Sequence, residues 1–296
     1  MTRFVAFGEV LWDLLPTGAK VGGAPLNVVL HLRKQDVEAQ IISKIGQDAR
    51  GEQLREYLRA QGLDLTLIAE DEDYPTSTVL VKLDEGGHGS YEIVPHVAWD
   101  YMALKANAIT AIERADALIF GTLAARNKVS REVLQVYLEH ARARVLDVNL
   151  RPPNYQPDTV KLLMDKADVV KMNEEELDLI SSWTAEGLTT IEGKMDHLLA
   201  TYRIKTVLVT LGAEGAICLE KGQFFRHPGY PVEVVDTVGS GDAFLAAFLA
   251  AYYQHKGVPA ALDLACATGA YVASQAGANP DYQFSDIEAF LAERSA

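Results

Sequence analysis

Cysteine is nearly absent: the 296-residue chain has two, Cys218 and Cys266, and neither lies in a metal-ligand spacing. Both fall in apolar segments that read as a buried strand and a buried helix, which excludes a disulfide framework and points to a reducing, cytoplasmic compartment. No stretch approaches the length of a membrane span. The N-terminal MTRFVAFGEV carries one basic residue ahead of a strand-like run, which is not the pattern of a secretion signal. Positive charge is scarce as well. With 27 Lys and Arg against 41 Asp and Glu, the net charge of −14 repels nucleic acid and anionic membranes. An anionic substrate therefore needs a local pocket of positive potential. Also missing are a G-x-x-x-x-G-K-[ST] loop, the protein-kinase signatures and a G-x-G-x-x-G after the first strand, so the commonest nucleotide-binding folds are excluded.

What is present is a βαβ rhythm. Short β-branched runs alternate with amphipathic segments: strand 145–148, helix 158–167, strand 169–172, a helix from Glu174, helix 191–202 and strand 206–210. The first half begins the same way, with strand 4–7, helix 24–35, strand 39–43 and helix 49–61. This predicts an α/β chain with a mostly parallel sheet flanked by helices. No linker or internal repeat divides it, so residues 1–296 read as one domain.

The rhythm breaks between about Tyr74 and Asp100. There TSTVLVKLDEGGHGSYEIV alternates with period two on both sides of a Gly-Gly turn, which reads as a β-hairpin without a covering helix. VLWDLLP at 10–16 can add a strand beside it, so insertions at about 10–21 and 74–100 build a small β-sheet lid. An uncovered face bearing Val79, Val81 and Leu83 favours pairing of two lids into a homodimer.

The chemistry concentrates in VEVVDTVGSGDAFLAAFLAAYY, from Val232 to Tyr253. A β-branched run ends at Asp236, two glycines flank Ser240, and a long apolar helix starts at Gly241 or Asp242. Glycines at a helix start leave backbone N–H groups open to an anion, and the helix dipole adds to the attraction. A phosphate fits such a turn. Asp242 would repel it, which makes sense if this carboxylate takes a proton from a hydroxyl attacking the phosphoryl group.

DTVGSGD at 236–242 resembles the C-terminal signature of the ribokinase-like, or PfkB-type, carbohydrate kinases. The resemblance implies their fold, Asp242 as catalytic base, and Gly239, Ser240 and Gly241 as anion hole. Other segments extend it over nearly the whole chain. GGAPLN at 22–27 is similar to the family's Gly-Gly signature, giving Gly22, Gly23 and Asn27 to the sugar, and GEVLWD places Asp13 where relatives bind two sugar hydroxyls. DVNLRP at 147–152 ends a strand at the edge where α/β sheets bind ligands. Asn149 is there a substrate residue, and Arg151 a cation for the phosphoryl group or a substrate carboxylate. KMNEEEL resembles the N-x-x-E element, which implies Asn173 at the nucleotide and Glu176 on water-coordinated Mg²⁺; Glu174 and Glu175 read as a charged first turn. VTLGAEGA is similar to the nucleotide loop and assigns Thr210, Gly212 and Gly215 to ATP. Thr237, Ala276 and Gly277 join them, and Asp236 is the candidate for a monovalent cation such as K⁺.

Within the family, GGAPLN and DVNLRP most resemble the fructokinase branch, which implies D-fructose as the phosphate acceptor. 2-Keto-3-deoxygluconate, ribose and nucleosides are the alternatives, and a non-catalytic sugar or nucleotide sensor is the reading from another class. Two departures from the fructokinase pattern bear on specificity: Leu26 is expected to narrow the pocket, and Trp99 in HVAWDYM to stack on a sugar face.

Overall fold

The computed structural model describes residues 2–15, 18–83 and 89–295. The chain runs β1 (Arg3–Phe7), β2 (Leu11–Leu15), β3 (Gly18–Gly22), α1 (Ala24–Arg33), β4 (Glu38–Gly46), α2 (Ala49–Ala60), β5 (Ile68–Asp71), β6 (Ser77–Leu83) and β7 (Gly89–Ile93). It continues α3 (Ala106–Arg114), β8 (Ala117–Gly121), α4 (Lys128–His140), β9 (Arg144–Asp147), α5 (Pro157–Lys166), β10 (Val169–Asn173), α6 (Glu174–Ser182), α7 (Ile191–Tyr202) and β11 (Thr206–Thr210). The last elements are β12 (Ala216–Glu220), β13 (Gln223–His227), α8 (Ser240–Tyr253), α9 (Val258–Ala273) and α10 (Phe284–Ser295). Among the described residues no helix is long and apolar enough to cross a membrane.

Nine strands form the large sheet in the order β13-β12-β11-β10-β9-β8-β1-β4-β5. From β5 to β11 neighbouring strands are parallel, and only β12 and β13 are antiparallel additions. The parallel strands are apolar on both faces. In β1, Phe4 and Ala6 belong to one core layer and Val5 and Phe7 to the other, as period-two geometry requires of a strand covered on both sides. The fold class is the α/β architecture expected, and helix α7 and strand β11 occupy the expected residues.

The chain enters the large sheet at β1, builds outward to β5, then returns to β8 on the other side of β1. Connections diverge at this switch, and α/β sheets open a crevice at the carboxyl ends of strands there. Two elements sit differently from expectation. The run before Asp236 forms no strand: Val235 and Asp236 donate to Ala273 O at 2.9 and 3.2 Å, and Val234 and Val235 are exposed. Helix α8 begins at Ser240, just before the expected start at Gly241 or Asp242, with Gly239 at its N-cap in the left-handed region at φ 79°.

A separate four-stranded sheet has the order β3-β2-β6-β7. Strand β2 runs parallel to β6 and antiparallel to β3, so the stretches near 10–21 and 74–100 meet in one sheet. The Gly-Gly turn and the side chains of Val81 and Leu83 lie outside the described residues. Val79 corrects the exposed-face expectation, because it is 5% exposed and packs with Leu11 and Ile93 into the core of the large domain. Trp12 Nε1 also ties this sheet to α2 by donating to Arg50 O at 3.1 Å.

Candidate active site

The site is assembled around the start of α8. Ten consecutive residues from Asp242 to Ala251 are buried, because this helix runs between α1 and α9 and is apolar on every side. Asp242 thus enters the interior at the first turn. Its carboxyl is pushed up to about 6, chiefly by burial and next by the charge of Asp147, against the opposing pull of Lys171, Asn27 and Arg151. Asn27, on the facing side of α1, donates through Nδ2 to Asp242 Oδ2 at 2.8 Å and accepts from Asn279 Nδ2 at 2.6 Å.

The turn before α8 is open to an anion. The N–H groups of Gly239, Gly241 and Asp242 have no protein acceptor among the described residues, while Ser240 folds its own hydroxyl back to Thr237 O at 2.8 Å. Gly239 has no room for a side chain: a Cβ would lie 2.6 Å from Ala278 Cα. Asp236 staples the turn to the loop after α9, accepting from Val238 N and Gly277 N, each at 3.0 Å. Thr237, Ala276 and Gly277 line this same junction. From below, His31 fixes the loop through Ala278 O at 2.9 Å and the Tyr282 hydroxyl at 2.8 Å. A proton on Nε2 satisfies the carbonyl, leaving Nδ1 to accept from the phenol.

Asp13 lies on β2, half-buried, with its carboxyl pushed up to about 6 by burial and drawn down by Arg151. Gly22 is its counterpart on the neighbouring strand. A Cβ at Gly22 would stand 2.3 Å from Asp13 Oδ2, so glycine leaves that oxygen its place. Gly23 caps α1 at φ 117°, and a Cβ there would meet Glu9 O at 2.4 Å. Asn149 takes a left-handed φ of 40° just past β9, turning the chain toward Arg151. Arg151 is exposed, and its positive charge draws down the carboxyls of Glu9, Asp13 and Asp242.

Asn173 and Glu176 form a capping box on α6. Asn173 Oδ1 accepts from Glu176 N at 2.8 Å, and Glu176 Oε2 from Asn173 N at 2.9 Å; its other oxygen accepts from Leu150 N at 2.6 Å. Burial raises the Glu176 carboxyl, and Lys171 opposes the shift. The result is a fixed carboxylate whose spare lone pairs can order the waters of a hydrated Mg²⁺. Glu174 and Glu175 are exposed on the first turn, as expected. Of the nucleotide-loop glycines, Gly212 faces open space at φ 57°, whereas a Cβ at Gly215 would lie 2.0 Å from His227 O. The packing of β13 accounts for Gly215, and Thr210 donates to Met172 O at 3.5 Å at the end of β11.

Two specificity expectations fail. Trp99 is fully buried, with the Arg126 guanidinium 4.2 Å above its ring and Arg126 itself bound to both Asp100 oxygens at 2.8 Å. Its faces are taken, and no sugar can stack there. Leu26 is likewise at 0% exposure in the core, so it does not narrow the pocket. Lys171 and Glu9 lie outside the sequence reading, and Asp147 enters it only as a strand-end residue of DVNLRP without a role of its own. All are buried, and the Glu9 carboxyl is pushed up to about 7, mainly by burial with Asp242 adding to the shift. The available signal was a charge ending or interrupting an apolar parallel strand, where a buried ion requires a partner.

A buried carboxylate at a helix start with open N–H groups, near the carboxyl ends of a parallel sheet, is an arrangement suited to phosphoryl transfer to a small molecule. The chain belongs to the pfkB family of carbohydrate kinases, whose model matches residues 16–283. It is 31% identical over 256 residues to a fructokinase of Escherichia coli, covering 82% of this chain and 81% of that protein. Fructokinase-1 of Oryza sativa is 30% identical over 307 residues, 93% of each chain. A Vibrio cholerae fructokinase crystallised with fructose, ADP and calcium superposes with TM-score 0.84 at 25% identity, over 98% of this chain and 99% of that one. An ATP-bound fructokinase of Xylella fastidiosa shares the fold at TM-score 0.89 and 22% identity, over the whole of both chains.

Proposed function

We propose that this chain is an ATP-dependent fructokinase, transferring the γ-phosphoryl group to a hydroxyl of D-fructose. The observation that carries the reading is Asp242, buried and held by Asn27 beside three N–H groups with no protein acceptor among the described residues. In the proposed reaction Asp242 takes the proton of the attacking hydroxyl as its oxygen bonds to phosphorus. The bond from phosphorus to the bridging oxygen breaks, and the open N–H groups of Gly239, Gly241 and Asp242 stabilise the charge left on the phosphates. Asp13 and Asn27 orient the sugar, and Arg151 brings positive charge to the site. Magnesium, ordered through water by Glu176, supplies charge neutralisation when bound. Each Asp236 oxygen accepts one backbone N–H group and keeps acceptor capacity, so Asp236 and the carbonyls of this turn are the groups that would hold a monovalent cation.

Phosphorylation of a sugar panel with Mg-ATP tests the reading. Fructose should be turned over with the highest kcat/KM, and a panel in which no sugar is phosphorylated would overturn it. Preference for 2-keto-3-deoxygluconate would transfer Arg151 to a substrate carboxylate. Two finer proposals go with the first: action in the cytoplasm, and a two-fold dimer joined through the small sheets. Because Val79 faces inward, such a dimer must use the other face of the sheet. Sedimentation at micromolar concentration distinguishes it from a monomer.

A further inference from the structure

Lysine is a costly residue to place inside a parallel strand, yet Val169, Val170, Lys171 and Met172 of β10 are all buried. Strand alternation sends Val169 and Lys171 toward α8, and the parallel register puts Asp147 of β9 beside Lys171 on that face. Lys171 Nζ donates to Asp147 Oδ1 at 3.0 Å, with the two side chains 8% and 5% exposed. The same ammonium lies 3.0 Å from where a Cβ of Gly241 would be. It therefore fills the space directly under the first turn of α8, from which Asp242 projects.

Other groups face Asp242 too. Asn27 approaches from α1, Arg151 from the segment after β9 and Glu9 from the segment after β1, and Glu176 of α6 acts on Lys171. Among the described residues, Lys171 and Asp147 act on Asp242 as a buried, opposite-signed couple in mutual contact. A lone ammonium there would hold Asp242 as a weakly basic ion-paired carboxylate, and a lone Asp147 would keep it protonated.

We propose that the Lys171–Asp147 pair is a positioning element that sets the charge of Asp242, balancing its basicity through two opposed charges held under the α8 turn. The use of that balance rests on the kinase reading, but the balance itself is a property of the ligand-free protein. A purely structural ion pair would change stability and leave the titration of Asp242 where it was.

The test is a ¹³C-carboxyl NMR titration of the ligand-free, Asp-labelled protein, with the Asp242 signal assigned through Asp242→Asn. In Asp147→Asn the ammonium remains, and the Asp242 midpoint should fall by about one pH unit. In Lys171→Met, Asp242 loses the cation that opposes Asp147, and its midpoint should rise by about one pH unit. The double variant should return near the wild-type value. An unmoved midpoint in Asp147→Asn, or shifts of the same sign in both single variants, would overturn the proposal. Should Lys171→Met not fold, Asp147→Asn and the double variant still decide. Failure of the kinase reading shows separately, as absent sugar phosphorylation with these midpoints unaffected.

Discussion

Asn27 and Asp242 stand 215 residues apart in the chain and 2.8 Å apart in the fold. The amide is held in turn by Asn279, on the loop that follows α9. One side chain of the GGAPLN segment thereby orients the proposed base and touches the loop after α9, so the two segments are linked through one amide. Because Asn27 donates to Oδ2, the other Asp242 oxygen is the one left to receive a proton.

Asp242→Asn keeps the shape of that pair and removes the proton acceptor. Turnover should fall by about two to four decades, with sugar and ATP binding kept within a few-fold. In the wild type, kcat/KM should decline as pH drops through about 6, where Asp242 takes up a proton. Rate measurements across pH with both proteins check this, and near-normal turnover of the variant would remove Asp242 from its role.

Gly22→Ala tests Asp13 without touching it. The added methyl would collide with Asp13 Oδ2, while Gly22 itself has an ordinary backbone φ, so strain falls on the carboxylate. The KM for sugar should rise by about tenfold with the KM for ATP unchanged. Equal changes in both constants would indicate a general distortion.

The sequence shows most of this architecture, for reasons visible in particular residues. Alternating apolar runs reveal β10 and β11, and the glycines around Ser240 reveal the anion turn, because backbone geometry there permits little else. Trp99 misleads since an aromatic in a variable segment looks the same whether a sugar or Arg126 covers its ring. Lys171 is hidden for a different reason. Its meaning depends on Asp147, 24 residues earlier, and only the parallel register of β9 and β10 brings the two together.

Trp99→Phe should therefore lower the melting temperature by removing the indole under Arg126, while the sugar KM stays within about twofold. Thermal unfolding and steady-state kinetics on one preparation separate the two effects. A large rise in KM with unchanged stability would return Trp99 to the pocket.

Closure of the small sheet is the next expectation. Among the described residues, Lys20 Nζ has no ion-pair partner and lies 3.3 Å from the position of a Cβ on Gly277, so β3 already reaches toward the loop after α9. Saturating sugar should slow amide exchange at Thr78 and Leu80 of β6 and around Asp13, as a closing lid excludes water. Unchanged exchange under saturation would rule closure out.

Glu9 provides a prediction about stability alone. Its carboxyl is raised from the ordinary range to about 7, mainly by burial, so the folded chain keeps a proton that the unfolded chain releases. For a group raised in the fold, the stabilisation is complete below the ordinary value of 4.5 and is lost as pH climbs through about 7. The loss is on the order of 3 kcal/mol between those limits. Glu9→Gln carries no titrating group and should flatten this part of the profile, so that near pH 8 the variant gains on the wild type while near pH 5 the two differ least. Denaturant titrations at both pH values measure the difference. Parallel pH profiles for the two proteins would show that the Glu9 carboxyl titrates alike in the folded and unfolded chain, and would remove it from the electrostatics of the site.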